Sequence, residues 1–169
     1  MVKPFITQES LKQRIAALAS EINRDFQGQD VVFVGVLNGS FIFLSDLVRE
    51  MKLSSQIEFV SLSSYEGTES TGQVRFHLDV KQNLEGKNVI LVEDIVDTGL
   101  TIQFLLEHFR LKKPKSLKLC SLLRKKARLK VEVPIDYLGF DIEDKFVIGY
   151  GLDFNGNYRE LPYIGVYGE

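Results

Sequence analysis

The stretch Val89-Ile90-Leu91-Val92-Glu93-Asp94-Ile95-Val96-Asp97-Thr98-Gly99-Leu100-Thr101 decides how this chain reads. Four apolar residues run into two acids, then into Asp-Thr-Gly-x-Thr, then into a helical pattern with Ile102, Leu105, Leu106 and Phe109 on one face. That order is a buried strand over 89–92, a tight loop and a helix N-terminus. Free backbone N–H groups there, with a glycine and two hydroxyls, form a cradle for phosphate. Glu93 and Asp94 are the unusual part. Adjacent carboxylates at the end of a buried strand are costly unless a ligand uses them. Beside a phosphate they are placed to hold sugar hydroxyls. A plain strand–helix turn with Asp97 as cap accounts for Asp97 and Gly99, but not for Glu93, Asp94 and Thr101 as well.

Outward from this stretch the chain alternates. Residues 7–26 read as a helix with Leu11, Ile15, Leu18, Ile22 and Phe26 on one face, ended by Gly28. Residues 31–37 are an unbroken apolar run, the pattern of a strand covered on both faces. Asn38-Gly39-Ser40 turns into a helix over 41–51, and 57–62 is a further strand. Residues 63–73 (Ser-Ser-Tyr-Glu-Gly-Thr-Glu-Ser-Thr-Gly-Gln) lack any aliphatic side chain and read as a long functional loop. Residues 74–80 alternate as a half-exposed strand, and strands follow over 116–123, 137–140 and 146–150. The expectation is an α/β fold: a mostly parallel sheet with helices on both faces, in one domain over 1–169. Ligands in such folds sit at the carboxyl ends of the strands, where the 97–101 loop lies.

Composition narrows the function classes. The chain has 169 residues, 44% hydrophobic and 26% charged, with net charge −2. That balance points to neither nucleic acid nor membrane. The one cysteine, Cys120, excludes an internal disulfide and a cysteine-built zinc site. His77 and His108 are too few and too far apart in the chain for a histidine metal cluster. Met1-Val2-Lys3-Pro4 leads into a polar helical pattern rather than a signal-peptide core, and no apolar run approaches membrane-spanning length. A soluble cytoplasmic protein is expected. Cys120 lies in an apolar strand and reads as packing. His77 falls on the polar face of its strand, and His108 near a helix C-terminus, where it can meet the dipole.

Three further segments carry chemistry. Val36-Leu37-Asn38-Gly39-Ser40 ends the first buried strand, and its glycine permits close approach of backbone to ligand. Leu122-Leu123-Arg124-Lys125-Lys126 ends another strand, inside a stretch, 110–130, that holds ten of the 21 basic residues and no acid. Most of that stretch reads as a solvated face. Asp144-Lys145-Phe146-Val147-Ile148-Gly149-Tyr150-Gly151-Leu152-Asp153 reads as a strand ending in a turn, with Arg159 six residues on.

In this order, the four segments resemble the type I phosphoribosyltransferases, and Asp97 before Thr98-Gly99 resembles the hypoxanthine-guanine branch. The resemblance implies the α/β sheet above plus a small hood from the chain ends. It implies a site residue by residue. Thr98, Gly99, Leu100 and Thr101 would hold the 5′-phosphate of phosphoribosyl pyrophosphate (PRPP), and Glu93 and Asp94 the ribose hydroxyls. Asn38 and Gly39 would meet pyrophosphate through their backbone, since relatives often carry a basic side chain at the Asn38 position. Arg159 would pair with pyrophosphate. Lys125 would donate to O6 of the purine, favouring a 6-oxo over a 6-amino group. Phe146 would stack on the base and the Val147 backbone would bond its edge. Asp153, with Glu93 and Asp94, would hold Mg²⁺. Asp97 would exchange a proton with N7, and Ser64-Tyr65 would ride a closing lid.

The implied reaction joins hypoxanthine or guanine to PRPP, releasing pyrophosphate and giving IMP or GMP. A homodimer or homotetramer is implied too. Three other readings are weighed: a regulatory relative that binds RNA, favoured only by the basic stretch; a transferase for xanthine or adenine, of which Lys125 disfavours adenine; and a non-catalytic structural domain, which leaves the strand-end acids unexplained. Neither hypoxanthine nor guanine is preferred by any side chain in the sequence.

Overall fold

The computed structural model describes residues 2–64 and 74–168. In chain order the elements are β1 (Pro4–Ile6), α1 (Gln8–Asp25), β2 (Val31–Leu37), α2 (Phe41–Arg49), β3 (Ser55–Ser64), β4 (Val74–Leu78), β5 (Asn88–Val96), α3 (Leu100–Arg110), β6 (Ser116–Arg124), a short 3₁₀ turn (Lys126–Arg128), β7 (Tyr137–Asp141), β8 (Val147–Ile148) and β9 (Ile164–Val166). Six strands form the main sheet in the order β4-β3-β2-β5-β6-β7. All neighbours run parallel except β4, which is antiparallel to β3.

Side-chain alternation explains the layering. Phe33, Ile90, Val92, Cys120 and Leu122 face α1 and α2, packing with Leu11, Leu18, Ile22, Phe43 and Leu47. Val32, Val34, Val89, Leu91 and Leu119 face α3, packing with Ile102, Leu105, Leu106 and Phe109. A strand covered on both faces needs apolar residues throughout, which is why β2 shows no alternation. Thr7 caps α1 by accepting from the Ser10 N–H at 3.1 Å. Arg14 of α1 donates to the carbonyls of Gly139 (2.9 Å) and Leu138 (2.5 Å), covering the edge strand β7.

The connection β2-α2-β3 runs one way from the middle of the sheet and β5-α3-β6 runs the other. The carboxyl ends of β2 and β5 therefore lie side by side where the winding reverses, which is where open α/β sheets bind ligands.

The hood is a separate antiparallel sheet, β1-β9-β8, built from both chain ends. The Tyr163 hydroxyl donates to the Val2 carbonyl at 2.7 Å and ties the ends together.

Several sequence expectations are corrected. The first residues do not pass straight into a helix: Pro4–Ile6 pairs with β9 first, a partner too distant in sequence to be seen. Glu93 and Asp94 lie inside β5, which continues to Val96 by pairing with β6 through Arg124. Ser63 and Ser64 belong to β3, paired with Arg75 and Val74. The strand expected over 146–150 shrinks to Val147–Ile148, because positive φ angles at Gly149, Tyr150 and Gly151 turn the chain. His108 does stand in the last turn of α3, and it has a further partner that the sequence did not reveal. Its Nε2 lies 2.8 Å from Asp79 Oδ2, and its ring packs on Phe76.

Candidate active site

Loop 38–40 and loop 97–99 follow the adjacent ends of β2 and β5. The Leu37–Asn38 peptide is cis. A Cβ built on Gly39 would collide with the carboxylate of Asp94, so the acid fills the space an ordinary side chain would take. A Cβ on Gly151, whose φ is +99°, would in turn collide with the Gly39 carbonyl. Asp94, Gly39 and Gly151 are thereby stacked, joining β5, the 38–40 loop and the segment that follows β8.

Asp94 is half-buried and its Oδ1 accepts from the Ile95 N–H at 2.7 Å. Glu93 is buried, and its Oε1 accepts from the Asp94 N–H at 3.0 Å. Burial, and then the neighbouring Asp94 carboxylate, push the Glu93 carboxyl well above the usual carboxylate range. A neutral Glu93 can donate a hydrogen bond that an ionised one cannot.

Helix α3 opens at Gly99, φ +85°, with no side-chain cap and no acid in its first turn. Its first-turn N–H groups have no partner within the helix. Leu100 N–H reaches Thr98 Oγ1 only at 3.4 Å, a long bond that a phosphate oxygen can replace. The loop is strapped from behind: the Thr98 carbonyl accepts from the Lys130 N–H at 2.9 Å, and a Cβ on Gly99 would come within 2.8 Å of the Val131 carbonyl oxygen. Asp97 stands on the exposed side of this loop, its Oδ1 accepting from Arg128 Nε at 2.6 Å.

Lys125 follows β6 and is buried, with Nζ 3.7 Å from Asp144. Phe146 is 53% exposed, ready to offer its ring face. It is held edge-on by Phe154 (centroids 5.8 Å, 89°) and Tyr167 (6.1 Å, 73°). Val147 pairs with Val166 in the hood. Arg159 donates to the Gly151 carbonyl at 2.5 Å and lies 3.1 Å from Asp153 Oδ1. Asp153 Oδ2 accepts from Gly156 N–H at 2.7 Å.

The expected residues therefore fall into two contacting sets. Asp94, Gly39, Arg159 and Asp153 form one, joined through Gly151; Asp97 and Lys125 form the other, joined through Arg128 and Asp144. The expected metal trio is not assembled as a cage, for among the described residues no three His, Cys, Asp or Glu side chains group around one point. Tyr65 lies outside the described residues, and of Ser64 only its backbone in β3 is described. Arg128, Asp144 and Gly151 were not singled out by sequence reasoning. The signal for Arg128 was its place one turn past Lys125. The signal for Gly151 was a glycine in a segment already suspected of binding the base.

The basic stretch 110–130 does not form one surface. Residues 110–118 lie at the amino end of β6 and 124–130 at its carboxyl end. Lys112 pairs with Asp79, Lys118 with Asp136, Arg124 with Asp141, Lys125 with Asp144 and Arg128 with Asp97. Five of the ten basic residues of the stretch are thus paired with carboxylates of the described residues. No helix among the described residues is long and apolar enough to cross a membrane.

Residues 6–155 match the phosphoribosyl transferase domain family. The chain is 49% identical over 166 residues to a hypoxanthine-guanine phosphoribosyltransferase of Dictyostelium discoideum, covering 95% of this chain and 92% of that protein. It is 43% identical over 167 residues to a hypoxanthine phosphoribosyltransferase of Escherichia coli K12, covering 97% and 94%. The fold superposes with a TM-score of 0.93 on the crystal structure of a hypoxanthine-guanine phosphoribosyltransferase from Bacillus anthracis, at 47% identity and 98% and 99% coverage.

Proposed function

The chain belongs to the phosphoribosyltransferase family, and on that premise we propose that it transfers the 5-phosphoribosyl group of PRPP to hypoxanthine, guanine or both, yielding IMP or GMP and pyrophosphate in purine salvage. One observation carries the reading: the Asp94 carboxylate lies against Gly39, so the ribose acids and the pyrophosphate loop share a wall beside the uncapped start of α3.

Each part has a physical task. The first turn of α3, with the Thr98 and Thr101 hydroxyls, binds the 5′-phosphate. Glu93 and Asp94 bind the ribose hydroxyls. As the bond from C1′ to pyrophosphate breaks, positive charge grows on the ribose ring, and the Asp94 carboxylate offsets it. Backbone groups at Asn38 and Gly39, and the Arg159 guanidinium, hold the leaving pyrophosphate. Phe146 stacks on the purine and the Val147 backbone bonds its edge. Lys125 donates to O6. Asp97 accepts the N7 proton as N9 attacks C1′.

Mg²⁺ suits this donor set, which offers carboxylate oxygens and neither thiolate nor imidazole. Asp153 and Asp94 are the residues that would hold it, with PRPP and water completing the shell. Glu93 is the poorest placed of the three, being buried where Asp94 and Asp153 are half-buried. When bound, the metal supplies Lewis-acid neutralisation of pyrophosphate. We also take residues 1–169 as one domain, working in the cytoplasm as a homodimer or homotetramer; light scattering on the eluted protein tests the assembly.

The test of function is a spectrophotometric assay with PRPP and Mg²⁺, offering hypoxanthine, guanine, xanthine, adenine and uracil in parallel. Turnover with hypoxanthine or guanine, abolished by chelator, is expected. Turnover confined to another base overturns the substrate assignment. Asp97→Asn should lower kcat roughly 10²–10⁴-fold while leaving PRPP affinity near its original value. Equal loss in both removes Asp97 from proton transfer.

A further inference from the structure

Asp97, Arg128, Asp144 and Lys125 form a chain of alternating charge. Arg128 Nε lies 2.6 Å from Asp97, Arg128 Nη1 3.6 Å from Asp144, and Lys125 Nζ 3.7 Å from Asp144. The two ends of this chain are the groups assigned to N7 and O6 of one purine ring. We propose that Arg128 is a positioning residue for Asp97, and that through Asp144 it sets the proton-exchanging carboxylate in register with the O6 donor. The proposal rests on the functional reading given above.

Stability does not explain the contact. Asp97 and Arg128 have side chains 39% and 46% exposed, and exposed pairs of this kind typically contribute about 0–1 kcal/mol. Placement does explain it. Asp97 is a short side chain on a loop, and without a partner its rotamer is free. Arg128 engages Oδ1 and leaves the second oxygen for the base. The guanidinium is itself fixed by backbone: Arg128 N–H bonds the Lys125 carbonyl at 3.0 Å, and Lys125 N–H bonds the Val96 carbonyl, one residue before Asp97, at 3.0 Å. The turn carrying Arg128 thus hangs from the same loop as its target. A planar fork on a fixed turn holds a carboxylate orientation that a flexible ammonium holds less well. An error of about 1 Å in the position of a catalytic group can cost on the order of 10²-fold in rate.

The test is a double-mutant cycle in steady-state kinetics with hypoxanthine and PRPP, using Arg128→Ala, Asp97→Asn and their combination, with Arg128→Lys as the conservative variant. Arg128→Ala should lower kcat about 10-fold or more, with the KM for PRPP held within about twofold. Arg128→Lys should recover part of the loss. On the Asp97→Asn background, Arg128→Ala should cost less than about twofold, because the group it positions is gone. A full additional loss on that background, or a loss expressed in the KM for PRPP, overturns the proposal while leaving Asp97 as the proton acceptor. An Asp97→Asn enzyme with unchanged kcat overturns both. Circular dichroism melting of each variant accompanies the kinetics, and Asp144→Asn, which leaves the Asp97–Arg128 bond intact, should give a smaller loss than Arg128→Ala.

Discussion

Gly39 shows how much one residue can settle in this site. It needs no unusual φ. It is glycine because the Asp94 carboxylate occupies the place of its Cβ. Adding one methyl forces either the 38–40 loop to move or the Asp94 carboxylate to turn away from the place where the Ile95 N–H holds it. Gly39→Ala is therefore expected to raise the KM for PRPP about 10-fold or more with little change in melting temperature. Isothermal titration with PRPP and Mg²⁺ measures this directly; unchanged affinity would mean that the loop relaxes without cost. Glu93 is the counterpart on the other side. Its carboxyl is buried and held well above the usual carboxylate range by that burial and by the Asp94 carboxylate, and its Oε1 is satisfied by the Asp94 N–H.

At the scale of elements, the sheet is pinned at its far edge by charge as well as by ladder bonds. Arg124 ends β6 and Asp141 ends β7, paired across the ladder with Arg124 Nε and Nη2 at 2.6 and 2.8 Å from the carboxylate oxygens. The Arg124 hydrogen bonds hold the Asp141 carboxyl below its ordinary value of 3.8, against a smaller push upward from burial. Asp25 at the end of α1 is likewise lowered, first by the hydroxyl of Tyr137 on β7. A carboxyl whose folded pKa lies below its unfolded one contributes stability that is present above the unfolded value. That contribution is lost as pH falls through the folded one. Wild-type stability should thus decline on acidification below about pH 4, and Asp141→Asn should show a shallower decline. At pH 7 the variant should lose only about 0.2–1 kcal/mol, because Asp141 is half exposed. Urea midpoints measured from pH 7 to pH 3 give both quantities, and an acid limb as steep as wild type would deny Asp141 a part in it.

Across the whole molecule, two sheets have to meet for the site to exist. The main sheet carries the residues proposed to meet phosphate, ribose and pyrophosphate. The hood carries Val147 and, beside it, Phe146. The join is the close passage of Gly151 over the Gly39 carbonyl, reinforced by Arg159 on the Gly151 carbonyl. Gly151→Ala is doubly unfavourable, through its φ of +99° and through the collision with Gly39. It should weaken base and PRPP together, raising both KM values, where Gly39→Ala chiefly affects PRPP. Steady-state kinetics with each substrate varied in turn separates the two; a Gly151→Ala enzyme altered in base binding alone would show that the hood and the loop are not coupled.

Local chemistry in the chain was enough to determine the elements of the main sheet. The unbroken apolar runs of β2 and β5, the 3.6-residue spacing in α1 and α3, and Asp-Thr-Gly-x-Thr at a helix start are contiguous signals. They mark the loop over 97–99 and the helix start after it without reference to any distant residue. Tertiary structure alone decided the rest, because it depends on partners far apart in sequence. Pro4–Ile6 is a strand only because β9 lies beside it. Strand β5 runs on past its acids only because β6 continues to pair with it. Gly39 is bound to Asp94 and Gly151 by space, and Asp97 to Arg128 by a hydrogen bond across 31 positions of sequence. Periodicity carries information about which face of an element is buried. It carries none about which side chain, folded in from elsewhere, will occupy the last few ångströms beside a functional group.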